Sequence, residues 1–167
     1  METDDLLATA LKSSLRVLPG PVTLVTTRDP ETGGSAGMAA SAVIPVSMAP
    51  PSMLISVNRN GQTHQVIADA GRFCINLVST DQMSLVSLFS DSSLRKQRFE
   101  TDAWQDHESI PYLREACANI FCEIEKSLIY GTHELFIGRV TSVRTDEGAE
   151  TMAWVQGGFA RVTSMEH

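Results

Sequence analysis

Basic residues are scarce in this 167-residue chain: 13 Lys and Arg stand against 20 Asp and Glu, leaving a formal charge of −7. A surface that grips a nucleic-acid backbone needs clustered Lys and Arg. No run here exceeds Arg95-Lys96-Gln97-Arg98, so no nucleic acid is expected as a partner. Long apolar runs are missing as well. The longest are far below the ~20 residues that span a bilayer, and the opening Met1-Glu2-Thr3-Asp4-Asp5 is acidic where a secretory leader is basic. These absences predict a cytoplasmic protein with no membrane contact. Cysteine is limited to Cys74, Cys117 and Cys122, an odd number set in apolar segments, which suits buried free thiols and matches no zinc spacing. No Ser, His, Asp order, no paired acids and no metal-ligand cluster stands out. The one glycine-rich stretch, Gly33-Gly34-Ser35-Ala36-Gly37-Met38, leads into a strand and not a helix, so it lacks the setting of a dinucleotide fingerprint. Any chemistry would then fall to a cofactor.

What is present is ordinary for one globular domain. The apolar fraction is 43%, and a chain of this length buries roughly 68–70% of its unfolded surface without staples. Leu6, Leu7, Ala10, Leu11, Leu15 and Leu18 fall at helical spacing and predict an amphipathic helix over 1–18, ended by Pro19-Gly20. β-branched alternation then predicts a strand at Val22–Thr27, a turn through Asp29–Gly34 and a returning strand over Ser35–Ile44. A further strand at Met53–Val57, a turn at Asn58–Gly61, a helix at Thr63–Ala70 stopped by Gly71, and a strand at Arg72–Val78 follow. Thr80-Asp81-Gln82 opens another helix, Ser90–Glu108 reads as a polar loop, and long strands are expected at Ala118–Ile129, His133–Arg144 and Met152–Val162. Many strands, few helices and no strict βα alternation predict a mainly β fold, a small antiparallel barrel with peripheral helices.

Three segments could carry chemistry. Gly33–Ser47 has small side chains on both faces of its strand, which fits either a hairpin turn followed by an edge strand or a flat aromatic ligand lying against the backbone. Asn58-Arg59-Asn60-Gly61-Gln62-Thr63-His64 reads as a turn with Thr63 as N-cap. Equally, its helix amides, the Thr63 hydroxyl, Arg59 and His64 would form a phosphate site. In Gly131–Gly138, His133 at a strand start serves either as a hydrogen-bonded structural residue or as a catalytic group. His107 and His167 have weaker claims.

Taken together, these segments resemble the short-chain flavin reductase family, the reductase components of two-component flavin-dependent monooxygenases. The resemblance runs from about Leu15 to Val162. Gly37-Met38-Ala39-Ala40-Ser41, Val46-Ser47, Pro50-Pro51 and Val57-Asn58-Arg59 look like the family's G-M-T-A-S-S, S-V-S, P-P and N-R run in the same order. Thr63-His64, Gly71-Arg72-Phe73, Ile75-Asn76 and Arg98-Phe99 also fall where that family has them. Gly131, His133, Phe136 and Gly138 match G-D-H-x-x-F-x-x-G, with Thr132 in place of the Asp; Ala39 and Ala42 each replace a hydroxyl residue of the pattern. Gly157-Gly158-Phe159 resembles the closing G-G-aromatic segment.

The resemblance implies a split β-barrel over 19–167 in a single domain, binding FMN or FAD and using NADH or NADPH as hydride donor. It places Gly37 to Ser41 at the isoalloxazine edge and Asn58 and Arg59 along the ribityl and phosphate region. Thr63 and His64 go to the phosphate, Arg98, Phe99 and Lys96 to further contacts, and His133, as the catalytic residue, with Phe159 to the nicotinamide. It also implies a homodimer and delivery of reduced flavin by diffusion to a monooxygenase. The alternative is an FMN-binding electron carrier of the same fold, in which His133 has no evident purpose; the related pyridoxamine phosphate oxidases would want more basic residues.

Overall fold

The computed structural model describes residues 2–165; His167 lies outside them. Helix α1 (Glu2–Leu15) is followed by β1 (Gly20–Pro21), β2 (Thr23–Arg28), β3 (Ser35–Ala40), β4 (Val43–Met48) and β5 (Pro51–Asn58). After α2 (Gln62–Ala70) and β6 (Arg72–Leu77), a 3-10 turn at Thr80–Gln82 runs into α3 (Met83–Ser90), and a second 3-10 segment covers Ser92–Gln97. The rest is strand: β7 (Trp104–His107), β8 (Ile110–Leu113), β9 (Ala118–Tyr130), β10 (His133–Thr145), β11 (Met152–Val155) and β12 (Gly158–Arg161).

Seven strands form one antiparallel sheet in the order β3-β2-β6-β9-β10-β5-β4; β1-β11-β12 and β7-β8 form two smaller sheets. The mainly β expectation holds, whereas the hydrogen-bonded ladder is open, with β3 and β4 as its edges. Those edges nevertheless meet at a corner, since only Ser41 and Ala42 separate them. A flat seven-stranded sheet would put its edges roughly 29 Å apart, while three residue steps reach at most about 11 Å. The sheet is therefore strongly curled.

β2 is buried along almost its whole length because both of its faces are covered. Val25 points inward to a core with Val43, Ile55, Val57, Phe73, Ile75 and Phe136, capped by Ile67 of α2. Leu24, on the opposite face, packs outward with Val22, Val86 and Phe89 of α3, Leu113 and Met152. Asn76 sits where these layers cross and is fully buried. Its amide donates to the Leu24 carbonyl at 2.7 Å and Thr26 Oγ1 at 3.0 Å, and its oxygen accepts from the Leu113 N–H and the Asn119 amide. That explains the polar residue inside an otherwise apolar strand.

Several expectations change. Ser35–Ile44 is two strands, broken at the corner that turns the chain from one sheet edge to the other. Met152–Val162 is a hairpin, turning at Gln156-Gly157 where both residues have positive φ. The polar 90–108 stretch contains β7, whose pairing with β8 carries no apolar alternation to announce it. Thr63 is not the N-cap of α2; Gly61 is, with no side-chain cap bond. The first helix ends at Leu15, and its leucine face stays open, Leu6, Leu7, Leu11 and Leu15 being 49–70% exposed.

Candidate functional site

The expected residues converge along the free edge of β3. Val22 O accepts from the Val78 N–H, on the β6 side of β2, so alternate residues Leu24 and Thr26 also face β6, and their partners Ala39 and Gly37 turn their N–H and C=O groups away from β2. Unpaired strand groups of this kind are ready donors and acceptors. At one end the Gly37 carbonyl is taken by Arg98 Nη1 at 2.8 Å and by Thr63 Oγ1 at 3.3 Å. The Gly37 and Ala39 N–H groups remain.

Gly37 has no room for a side chain. A Cβ there would lie 2.8 Å from Phe89 Cε1 and 2.9 Å from the Val25 carbonyl oxygen. The space that the missing side chain opens is filled by α3 of the protein's own chain. The open part of the strand is farther along: Ala39, Ala40 and Ser41 line a cleft of about 230 Å³ with Val22, Trp154 and Phe159. Trp154 and Phe159 meet edge to face across the β11–β12 hairpin, 5.0 Å between centroids, and Phe159 is 38% exposed, so both present aromatic surface. Met38 lies on the inner side of β3 against the core.

At the Gly37 end, two adjoining clefts share Gln62, Thr63, Arg95 and Arg98; one continues past Met38, Asn58, Gly61 and His64, the other past Ser35, Val66 and Phe99. Here α2 begins without any side-chain cap and with no acid in its first turn. The Gln62 and Thr63 amides at its start are free for an anion, while that of His64 turns back to the Gly61 carbonyl at 3.2 Å. Arg98 is 4% exposed and ties three carbonyls, of Leu88, Gly37 and Asp91, so most of its donors are structural; it also stacks 5.3 Å from the Phe89 ring. Phe99 packs between Phe89 and Trp104. Arg95, half-buried in both clefts, supplies a cation that the sequence reading left out.

His64 is not free. Its Nε2 lies 2.7 Å from Glu134 Oε2, the two side chains being 12% and 13% exposed. Hydrogen bonding from Ser127, then from His64, holds the Glu134 carboxyl below its usual range. Arg59 is exposed and outside these cleft linings, joined to the β9–β10 turn by its backbone N–H on the Thr132 carbonyl. Lys96 is an exposed residue of the 3-10 segment. His133 opens β10 opposite Asn58 of β5, with Nδ1 2.9 Å from Thr132 Oγ1. Thr132 thus replaces the expected acid as the ring's neighbour. His133 does not line the cleft that holds Trp154 and Phe159. His107 packs on Phe121 at 4.5 Å between ring centroids, a packing role. Gly138, the last glycine of its motif, is filled from inside: a Cβ would meet Cys122 Cβ at 2.7 Å and Phe73 Cζ at 2.9 Å.

Among the described residues, no group of His, Cys, Asp and Glu is arranged to hold a metal, and no helix is long and apolar enough to cross a membrane.

Comparison with known proteins places the chain in a family. Residues 15–163 match the Flavin reductase like domain family. The chain is 34% identical over 137 residues to the reductase component of an FADH(2)-dependent resorcinol hydroxylase from a Rhizobium sp., covering 81% of this chain and 76% of that one. It is 30% identical over 146 residues to the FMN reductase (NADH) RutF of Pseudomonas syringae, covering 87% and 81%. Its fold superposes on the NADH:FAD oxidoreductase SgcE6 of Streptomyces globisporus, solved in complex with NAD and FAD fragments, with a TM-score of 0.84, 28% identity and 93% of each chain covered.

Proposed function

The chain belongs to the Flavin reductase like domain family, and from that premise we propose that it is an NAD(P)H-dependent flavin reductase that supplies reduced FMN or FAD to a separate monooxygenase. The observation that carries the reading is one continuous strip along β3. It joins an aromatic cleft at Ala39–Ser41, with Trp154 and Phe159, to a cationic recess at Gly37, Thr63 and the uncapped start of α2. An apolar slot for a planar ring system next to an anion site is what a flavin phosphate requires, so the residues present fit the group.

When bound, the flavin supplies the redox chemistry, accepting a hydride equivalent from the nicotinamide. The chain's part is to position and enclose. The outward N–H groups of Gly37 and Ala39, with Ser41, hydrogen-bond the polar edge of the ring, while Met38 and Ala40 back the strand from the inner side. Asn58, Thr63, Arg95 and the first amides of α2 hold the phosphate end, with Arg98 and Phe99 forming its floor. Arg59 contributes charge from the rim, and His64 shapes the wall. Phe159 and Trp154 cover the ring cleft and exclude water, which favours a close approach of the two reacting rings. His133 lies at the other rim, where its Nε2 can hydrogen-bond the dinucleotide or hand on a proton.

In this reading the curled sheet and its corner form a split barrel within a single domain. The open leucines of α1 and the exposed Ile44, Val46 and Met48 of edge strand β4 then form the contact surface of a homodimer. A cytoplasmic site of action follows from the need for pyridine nucleotide.

The test is direct: purified protein is mixed with NADH or NADPH and FMN or FAD in excess, and pyridine-nucleotide oxidation is followed. Turnover with at least one pair is expected; none with any of the four refutes the assignment.

A further inference from the structure

The start of α2 has no side-chain cap, yet it must stand still to present its amides to a phosphate. Two side chains of its first turn reach sideways in place of a cap. Thr63 donates to the Gly37 carbonyl of β3 across 3.3 Å, a long bond. His64 meets Glu134 of β10 at 2.7 Å, the shorter and more enclosed of the two ties. Because an ionised carboxylate only accepts, Nε2 carries the proton and donates. Glu134 is itself held: its residue pairs Val57 of β5 and Ile129 of β9, with a strand on either side. The His64 ring also rests near Phe136, 5.7 Å between centroids.

We propose that Glu134 is a positioning residue, fixing the first turn of α2 through His64 so that its amides and Thr63 meet the flavin phosphate. Glu134 lines none of the clefts described above and touches no ligand in this arrangement. It works as a strut between the central sheet and the anion recess. The proposal rests on the flavin reading for the identity of the phosphate ligand. A strut of this kind affects the phosphate end and leaves the ring cleft at Ala39–Ser41 alone, which makes riboflavin, lacking the phosphate, the internal control.

The experiment measures dissociation constants of FMN and riboflavin by quenching of flavin fluorescence, for the wild type, Glu134→Leu and Glu134→Gln. Glu134→Leu keeps the bulk and removes the acceptor; FMN binding is expected to weaken about tenfold, with riboflavin changed less than about twofold. Glu134→Gln still offers an oxygen to the Nε2 proton, and most of the FMN affinity should return. An equal loss for both flavins would mean that Glu134 only supports the fold, and unchanged FMN binding would mean that the strut is idle; either overturns the proposal. A wild type that binds FMN but oxidises no pyridine nucleotide would count against the reductase reading and leave this comparison readable.

Discussion

Gly37→Ala places one methyl group where there is no room for it. The new Cβ would lie 2.8 Å from Phe89 Cε1, 2.9 Å from the Val25 carbonyl oxygen and 3.0 Å from Thr26 Cγ2. Carbon atoms in comfortable contact stand about 3.5–4.0 Å apart. The Phe89 ring can tilt, but the Val25 carbonyl belongs to the neighbouring strand and cannot. Either the sheet edge shifts outward or α3 lifts, and both loosen the Arg98 bond to the Gly37 carbonyl. Overpacking of this kind costs about 1–3 kcal/mol, and the stiffer unfolded chain returns about 0.4–1 kcal/mol of it. A net loss of about 0.5–2 kcal/mol remains. For a chain of this size that lowers Tm by roughly 1–8 °C and weakens FMN binding, read by fluorescence quenching in the same samples. Gly138→Ala, crowded from inside by Cys122 and Phe73, should lose comparable stability with flavin affinity largely kept. In a Phe89→Leu background the Gly37→Ala cost should shrink, since the ring tip is gone. A Gly37→Ala protein as stable as the wild type would refute the claim that α3 occupies the bare face of β3.

Two further predictions concern the interior. Asn76→Leu leaves the Leu113 N–H and the Asn119 amide without their shared oxygen and takes from the Leu24 carbonyl its side-chain donor, so chemical denaturation should show about 2–4 kcal/mol lost; a loss below about 1 kcal/mol would contradict the hub. Burial pushes the Cys122 thiol up to about 12 and raises those of Cys74 and Cys117; since only the thiolate attacks disulfide reagents, all three should be silent in the native protein at mildly alkaline pH and titrate together on unfolding, and one fast native thiol would sink this.

Much of the frame was legible in the chain because local chemistry is loud there. β2 announces itself by β-branched alternation, β5 and β6 by short apolar runs between turn residues, and α2 by its Gly71 stop. The segment Trp104–His107 was missed because it is polar and is a strand only through its partner Ile110–Leu113. The hairpin turn at Gln156-Gly157 was missed because it interrupts an otherwise continuous strand pattern. Of the candidate site residues, all but Arg59, Lys96 and His133 line the clefts. Arg95 and Glu134 were not foreseen: a lone surface-type charge carries no signal until its neighbours are known.

The amino-acid order by itself determined which segments extend or coil, that glycine and alanine cluster on one strand, and which family this chain joins, since all of these are local or linear properties. Only the tertiary structure decided what the clusters are for. Whether the bare face of Gly37 holds a ligand or Phe89, whether His64 faces a phosphate or Glu134, and whether His133 and Phe159 share a cleft each depend on which distant strand lies alongside. That choice is made by curling seven strands until edges separated in the ladder meet at Ser41 and Ala42, and it is recorded in no single stretch of residues.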